Sequence, residues 1–184
     1  LNVGCIPTKM LVLPADRVVD AADAARLGVT FGAPTVDWPG IRDRVFGRLD
    51  AISEGGRAYR DQQDHTTLYA AHARFVGPRR LALSTGEVLT ADRVVVAAGA
   101  HAVGLPVDGL REPDPDPGLH TSDTVMRLDA LPPRMVVVGG GFVACELAHV
   151  FASFGVHVTQ VQRGPSLLRH HEAAIAQRYT QVAA

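Results

Sequence analysis

A glycine-rich turn between an apolar strand and an apolar helix constrains the fold of this chain more than any other feature. Met135 to Val138 form a short apolar run, and Gly139-Gly140-Gly141-Phe142-Val143-Ala144 follows directly. The pattern is G-x-G-x-x-G/A: the first glycine permits a tight turn, the second admits a pyrophosphate to the backbone, and the last small residue lets the helix pack on the strand. Here Gly139, Gly141 and Ala144 occupy those three positions.

The residues after the turn complete a strand–helix–strand unit. An apolar run from Phe142 to Phe154 predicts a helix, and after Gly155 the run from Val156 to Val161 predicts a second strand. Because the free N–H groups at a helix N-terminus attract anions, we expect the phosphates of a dinucleotide there. The predicted binding residues are Gly139, Gly140, Gly141, Phe142, Val143 and Ala144.

The end of the second strand indicates which dinucleotide binds. An NAD site usually has an acidic residue there, which accepts hydrogen bonds from the ribose. This chain has Gln162 and Arg163 instead, and Arg169 follows six residues later. Two guanidinium groups suit a 2′-phosphate, so the pattern favours NADPH. Two ordinary surface arginines are the alternative interpretation in this arginine-rich chain.

Composition limits the class of protein. The 184 residues, 47% hydrophobic and 20% charged, allow one large or two small domains and argue against disorder. A net charge of −1 gives no general attraction to nucleic acid or acidic membranes, and no apolar run reaches the roughly 20 residues of a membrane span. Two distant cysteines make no secreted disulfide framework. We therefore expect a cytoplasmic α/β protein.

Two helices are predicted in the first third of the chain. Apolar positions from Lys9 to Leu27 predict a helix that ends at Gly28, with a kink or a break at Pro14. Apolar residues at intervals of three and four between Trp38 and Ile52 predict a second helix that continues towards Arg60.

The middle of the chain has the patterns of strands. Alternation from Thr67 to Phe75 predicts one strand. Leu81 to Leu83 and Glu87 to Leu89, joined at Thr85-Gly86, predict a hairpin. The apolar run from Val94 to Gly99 predicts a buried strand that ends in a glycine.

A linker and a domain boundary are predicted next. Residues 104–118 are rich in proline, glycine and aspartate and show no periodicity. We place the boundary near Pro133, which gives domains of residues 1–133 and 134–184. The adjacent His170 and His171 are interpreted as a solvated pair on a helix, and we expect no metal site.

The opening residues carry the most specific chemical signal. Leu1-Asn2-Val3-Gly4-Cys5-Ile6-Pro7-Thr8-Lys9 contains one of the two cysteines and the only lysine. A cation near a cysteine favours the thiolate, which is the nucleophilic form. The segment closely resembles the redox-active segment of the flavin-dependent pyridine nucleotide-disulfide oxidoreductases, in which two cysteines form a reducible disulfide against the flavin.

This resemblance implies FAD and NADPH as cofactors and gives several residues roles. Cys5 matches the second redox cysteine, whose thiolate lies against the flavin. Lys9 and Glu146 match a lysine–glutamate pair near the flavin. We expect this pair to be largely buried, because an unpaired carboxylate is costly on the apolar helix that carries Glu146. Phe142 matches an aromatic residue, usually tyrosine, that covers the nicotinamide pocket.

Two further segments resemble the parts of the family that meet FAD. His72-Ala73-Arg74-Phe75 resembles the segment whose backbone contacts the adenine end, which makes Ala73 a candidate. The run that ends at Gly99 resembles the strand that passes beside the flavin, with alanine in place of a threonine. The implied fold is a pair of FAD- and NAD(P)-binding Rossmann-like domains of three layers with a β-meander. Residues 1–133 would belong to the first and 134–184 to the second.

The resemblance also implies missing parts. The family's first redox cysteine would lie immediately before Leu1, and neither the flavin-phosphate loop nor the C-terminal half with its dimer interface and His-Glu pair is present. We therefore expect both domains to be incomplete, the 184 residues to be the middle of a longer homodimeric enzyme, and this segment alone to be inactive.

Three segments resemble the mycothione reductase branch of the family: Trp38 to Arg48, Gly55 to Arg57, and His120 to Arg127. That resemblance implies NADPH-driven reduction of a small-molecule disulfide, mycothione. Dihydrolipoyl dehydrogenase shares the cysteine segment but normally uses NAD, and it is the main alternative, with mercuric and glutathione reductases as further options. A catalytically inactive nucleotide-binding fragment is an alternative of a different class.

Overall fold

The computed structural model describes residues 2–105, 107 and 118–183, which form two compact units. The first unit comprises Leu1–Ser53 and Ala102–Ala184, and the second comprises Glu54–His101. Most of the predicted linker lies outside the described residues. A packing unit is not a cofactor-binding domain, so the boundary near Pro133 stays a prediction.

Helix α1 spans Cys5–Asp23, and a 3₁₀ turn, Ala24–Leu27, continues it to Gly28. Gly28 has φ 81°, a left-handed conformation that favours glycine, so the predicted end is confirmed. The helix begins at Cys5 rather than at Lys9, because Gly4 (φ 76°) turns the chain and Pro7 fits in the first turn, where no N–H is needed. No break occurs at Pro14.

Helix α2 spans Trp38–Asp61, so the second predicted helix is confirmed and includes Gly55 and Gly56. Its apolar face is buried in the core of the first unit at Val45, Phe46 and Leu49. Helix α1 adds Leu11 and Ala15 to the same core, and the sequence pattern of three- and four-residue spacing explains both faces.

The first unit also contains the predicted strand–helix–strand unit. Strand β4 is Arg134–Val138, helix α3 is Phe142–Ser153, and strand β5 is His157–Val161. The two strands pair in parallel, from Arg134 opposite His157 to Val138 opposite Val161. Helix α4, Ala173–Ala183, ends the described chain.

One aromatic cluster anchors α3 in the core. The Trp38 ring lies 5.9 Å from that of Phe151 and 6.0 Å from that of Phe154, measured between centroids. The Trp38 indole N–H donates to the carbonyl of Leu128 at 2.8 Å, so its polar atom is satisfied. Burying each such side chain stabilises the fold by about 1.5–3 kcal/mol. Helix α3, which begins at the glycine turn, is therefore firmly held.

The second unit contains an antiparallel meander. Its strands are β1 (Ala73–Gly77), β2 (Arg80–Leu83) and β3 (Val88–Thr90), in that spatial order. The hairpin turn has Gly86 at φ 94°, and the Leu83 N–H donates to the Glu87 carbonyl at 2.9 Å. The predicted hairpin is confirmed.

Two strand predictions in this unit are wrong. Residues 67–72 form no strand, so the predicted strand is reduced to Ala73–Gly77. Residues 94–99 form neither a strand nor a buried segment, and Val95 and Val96 are 88% and 73% exposed. The physical reason is the same for both. A strand needs a neighbour for its N–H and C=O groups, and no strand in the described ranges pairs with either segment.

The parallel β4–α3–β5 unit and the antiparallel meander together confirm the predicted α/β class. No helix in residues 2–105 or 118–183 is long and apolar enough to cross a membrane.

Candidate functional site

The glycine turn has the geometry that its sequence predicts. Gly139 has φ 140°, which side chains rarely adopt, and a Cβ atom built there would lie 3.4 Å from the Ala144 Cβ. The Gly139 N–H extends the parallel ladder by donating to the Val161 carbonyl at 2.8 Å. Ala144 therefore lies beside the turn, in the position that the pattern reserves for a small residue.

Gly140 occupies a position that the G-x-G-x-x-G/A pattern leaves open, but a contact with Gln162 constrains it. A Cβ atom on Gly140 would lie 3.0 Å from Cδ of Gln162 and 3.3 Å from its Cβ. The Gly140 carbonyl accepts a hydrogen bond from the Leu168 N–H at 2.7 Å. The segment after β5 thus packs against the turn. The sequence showed Gln162 only as a replacement for the acidic residue of an NAD site, and its contact with Gly140 was not predicted.

The start of α3 is open. Gly141 caps the helix in an extended conformation, and a Cβ atom there would meet nothing within 4 Å. Phe142 and Val143, in the first helical turn, are exposed. The first N–H groups of any helix lack an intrahelical acceptor, and the dipole favours a negative charge beside them. This arrangement fits a dinucleotide pyrophosphate.

Arg163 and Arg169 lie on the segment that the Leu168–Gly140 hydrogen bond fixes against the turn. Both side chains are exposed, and neither forms an ion pair with any residue of the described ranges. They are therefore free to meet an anion. His170 and His171 are exposed, as predicted, but they lie in a turn before α4 and not on a helix.

Lys9 and Glu146 form an ion pair between the Lys9 Nζ and the Glu146 Oε1, which confirms the predicted pairing of α1 with α3. The expected burial is wrong: 61% of the Lys9 side chain and 35% of the Glu146 side chain are exposed. Lys9 is exposed although its neighbours Pro7 and Thr8 are buried, so the pair forms at the edge of the contact between α1 and α3 and not in the core. Exposed ion pairs contribute about 0–1 kcal/mol to stability.

The two cysteines have different surroundings. Cys5 is an exposed, free thiol at the first residue of α1, where the helix N-terminus favours negative charge. Cys145, on α3, is only 3% exposed and is therefore buried. Its Sγ lies 3.7 Å from the Gln160 Nε2, which also donates to the Gly139 carbonyl at 2.9 Å.

Tyr179 of α4 is a second residue that sequence analysis missed. Its hydroxyl donates to the Cys145 carbonyl at 3.3 Å. Burial, with the nearby Cys145 and Glu146, raises the pKa of Tyr179 to about 12, so the phenol stays neutral near pH 7. Nothing in the sequence pattern placed α4 against α3, and therefore no signal for this contact was available.

Of the three FAD candidates, Lys9 lies in the first unit, and Ala73 and Gly99 lie in the second. Ala73 begins β1 and pairs with Leu83, and Gly99 has φ 74° in an exposed segment. The glycine turn, both arginines, Cys5 and the Lys9–Glu146 pair all lie in the first unit. The cofactor roles of Ala73 and Gly99 stay predictions.

Comparison with known proteins agrees with these features. A family model for pyridine nucleotide-disulphide oxidoreductases matches residues 1–184. Mycothione reductase from Mycobacterium tuberculosis is 43% identical over 189 aligned positions, which cover 100% of this chain and 40% of that protein. Glutathione reductase from Burkholderia cepacia is 31% identical, covering 90% of this chain and 35% of that protein.

The structural comparison supports the fold. The HOCl-induced flavoprotein disulfide reductase RclA from Escherichia coli superposes with a TM-score of 0.78 at 22% identity. The match covers 99% of this chain and 37% of that one. Like the sequence relatives, this protein is much longer, and the chain spans about two fifths of the length of the proteins it matches.

Proposed function

Since the chain belongs to the pyridine nucleotide-disulphide oxidoreductase family, we propose that it is part of an NADPH-dependent flavoprotein that reduces a small-molecule disulfide, mycothione. Members of this family use FAD and NADH or NADPH. The observation that carries the proposal is the Lys9–Glu146 pair, which joins the cysteine segment to the helix that begins at the glycine turn. The identity to mycothione reductase supports the substrate.

The residues of this chain would have separate tasks in that reaction. FAD, when bound, would carry two electrons from NADPH towards the cysteine pair. The glycine turn and the N-terminus of α3 would hold the coenzyme pyrophosphate, and Phe142 would cover the nicotinamide. Cys5 would form the reducible disulfide with the family's other cysteine. When that pair is reduced, the other thiolate attacks the substrate disulfide, so that one NADPH and one proton convert one disulfide into two thiols.

The coenzyme preference rests on Arg163 and Arg169. Both are exposed on the segment bonded to Gly140, and both carry the fixed fork of donors that suits a phosphate. In the full-length flavoprotein, changing both to alanine should weaken NADPH binding about tenfold or more, the effect of losing charge-assisted bonds, and change NADH binding little.

Calorimetric titration of each coenzyme tests whether Arg163 and Arg169 together bind the 2′-phosphate, an arrangement that we call the arginine clamp. A matched control is the Arg44→Ala, Arg48→Ala double variant, which removes two exposed arginines from α2. Equal losses for NADPH and NADH in the Arg163, Arg169 variant would reject the clamp.

The substrate needs its own experiment. Dihydrolipoyl dehydrogenases also match, for example that of Haloferax volcanii at 30% identity over 96% of this chain, and they are the second candidate. The full-length protein should reduce mycothione with NADPH faster than it oxidises dihydrolipoamide with NAD⁺ or reduces glutathione disulfide. A dominant dihydrolipoamide activity would contradict the mycothione assignment and leave the family unaffected.

Assembly and location belong to the same proposal. From the family resemblance and the net charge of −1, we expect the full-length protein to be a homodimer in the cytoplasm, with no nucleic-acid or membrane partner. Sedimentation of the full-length protein would test the dimer.

A further inference from the structure

A polar network ties the residues before Cys5 to two other elements of the first unit. The Asn2 side-chain amide donates to Oδ1 of Asp50 on α2. Asp50 also accepts two hydrogen bonds from Arg127, at 2.8 Å and 3.1 Å. The Arg127 guanidinium lies 3.9 Å from the ring centroid of Phe46. Since Phe46 and Asp50 are four residues apart on α2, they hold Arg127 from one face of that helix.

A second contact holds the chain after Cys5. The Thr8 hydroxyl, which is buried, donates to the Gly4 carbonyl at 2.7 Å and lies 3.5 Å from the Met126 sulfur. Met126 is itself 1% exposed. The 3₁₀ turn Val125–Arg127 therefore touches the cysteine segment on one side of Cys5 through Met126, and on the other through Arg127, Asp50 and Asn2.

We propose that the turn Val125–Arg127 anchors the cysteine segment on both sides of Cys5 and so fixes the orientation of Cys5 at the start of α1. We call this pair of anchoring contacts the mount. Asp50 and Arg127 act in it as positioning residues. A thiol that takes part in disulfide exchange must present its sulfur along a defined direction, so restricting this segment has a chemical purpose. That purpose rests on the proposed function. The mount itself is a property of this chain and needs no cofactor.

The Asp50 end of the mount is a charged pair between half-exposed side chains, with 48% of Asp50 and 41% of Arg127 exposed. The hydrogen bonds from Arg127, and secondarily that from Asn2, hold the pKa of the Asp50 carboxyl below its ordinary value, so it is ionised at neutral pH. The paired N–H groups of Arg127 fix both carboxylate oxygens. Asn2 and Arg127 meet through Asp50, and the mount therefore predicts that their effects on Cys5 are coupled.

The test uses a nitroxide label on Cys5 of the 184-residue chain. Cys5 is exposed and Cys145 is 3% exposed, so the folded chain should take one label, which peptide mass spectrometry verifies. The line shape of the electron paramagnetic resonance spectrum separates mobile from immobilised label. The variants are Asn2→Ala, Arg127→Ala, Arg127→Lys and the Asn2→Ala, Arg127→Ala double variant. Arg17→Ala is the matched control, because it removes the exposed Arg17–Asp20 pair of α1.

The mount predicts a specific pattern. Asn2→Ala should raise the ratio of mobile to immobilised label about fivefold, the effect of losing one ordinary hydrogen bond. Arg127→Ala should raise the ratio at least as much, and the double variant should not exceed Arg127→Ala alone. Arg127→Lys keeps the positive charge but loses the paired guanidinium N–H donors, and it should give an intermediate ratio. Arg17→Ala should leave the spectrum unchanged.

Two results would overturn the mount. An unchanged line shape in Asn2→Ala would show that Asp50 and Arg127 only join α2 to the turn. Multiplicative effects in the double variant would show that Asn2 and Arg127 act independently. If Arg127→Ala lowers the melting temperature too far to be measured, Asn2→Ala decides alone, because Asn2 lies outside the core. Since the experiment uses no flavin, coenzyme or substrate, a failed reductase assay would leave its result intact.

Discussion

At the scale of single residues, solvent exposure limits what the Lys9–Glu146 pair contributes to folding. A buried pair that loses one member typically costs about 3–5 kcal/mol, whereas an exposed pair contributes about 0–1 kcal/mol. With the Lys9 side chain 61% exposed, the second range applies. The Lys9–Glu146 pair therefore adds little to the stability of the fold. Our hypothesis is that the two charges lie together because they take part in the chemistry.

Replacing Lys9 tests that hypothesis. Lys9→Met should lower the free energy of unfolding of the 184-residue chain by less than about 1 kcal/mol, as measured by urea denaturation. In the full-length flavoprotein the same change should slow flavin reduction, measured by stopped-flow absorbance, and leave coenzyme affinity nearly unchanged. Arg17→Met, which removes another exposed ion-pair partner from α1, is the control. A large loss of stability without a kinetic effect would assign Lys9 a structural role only.

Gly140 and Gly141 are adjacent, and the structure assigns them different constraints. Gly140→Ala would press a methyl group against Gln162, and overpacking of this kind typically costs about 1–3 kcal/mol. Gly141→Ala meets open space, so we expect a cost under about 1 kcal/mol, mainly from the weaker helix cap. Gly141→Ala should nevertheless weaken coenzyme binding, because the methyl group would occupy the space proposed for the pyrophosphate.

Thermal unfolding and coenzyme titration of both variants distinguish these constraints. The double variant Gly140→Ala, Gln162→Ser should recover part of the stability lost in Gly140→Ala, since the shorter side chain removes the contact with Cδ. No recovery would show that the loss comes from the backbone of the turn and not from Gln162.

At the scale of secondary-structure elements, Asp50 joins α2 to the turn Val125–Arg127. Hydrogen bonds from Arg127 lower the folded-state pKa of the Asp50 carboxyl below 3.8, its ordinary value. A carboxyl with a depressed folded pKa stabilises the fold above its unfolded pKa and loses that contribution as pH falls through the folded pKa. The contribution of Asp50 is therefore complete at neutral pH and disappears below pH 3.8.

The pH dependence of stability checks this link. Asp50→Asn should be less stable than the parent chain at neutral pH, and the difference should shrink as pH falls below 3.8. Urea denaturation at a series of pH values measures both chains, and Asp20→Asn, in the exposed Arg17–Asp20 pair, is the control. A difference that grows on acidification would contradict the assignment, because it would mean that the folded chain favours the protonated carboxyl.

Elements with a local signal were predictable from the sequence, and those that depend on a distant partner were not. Helices α1 and α2 follow from apolar spacing, and α3 from the glycine turn before it. Residues 94–99 are as apolar as a buried strand, but strand formation depends on a neighbour, which a single segment does not encode. For the same reason, Lys9 and Glu146 could be paired by charge and resemblance, whereas the contacts of Gln162, Tyr179 and Asp50 could not.

At the scale of the whole molecule, the number of accessible thiols limits the chemistry of these 184 residues. Attack by one thiolate on a disulfide releases the first product thiol, and a second thiol is needed to release the product that stays bound in the mixed disulfide. Cys5 is exposed, but Cys145, on α3, is only 3% exposed and its sulfur lies against Gln160 and the Gly140 carbonyl of the glycine turn. Cys145 therefore has no access to a mixed disulfide at Cys5.

The chain alone should consequently stop after one exchange step. With excess glutathione disulfide, the Cys5 thiolate should attack one sulfur, form a mixed disulfide at Cys5 and release one equivalent of glutathione thiolate. Peptide mass spectrometry should find glutathione on Cys5 and not on the buried Cys145, and added NADPH and FAD should give no sustained consumption of NADPH. Cys5→Ser should abolish the modification, and Cys145→Ser should leave it unchanged. Sustained turnover, or a disulfide between Cys5 and Cys145, would contradict this prediction. Either result would show that Cys145 becomes accessible in solution and acts as a second thiol.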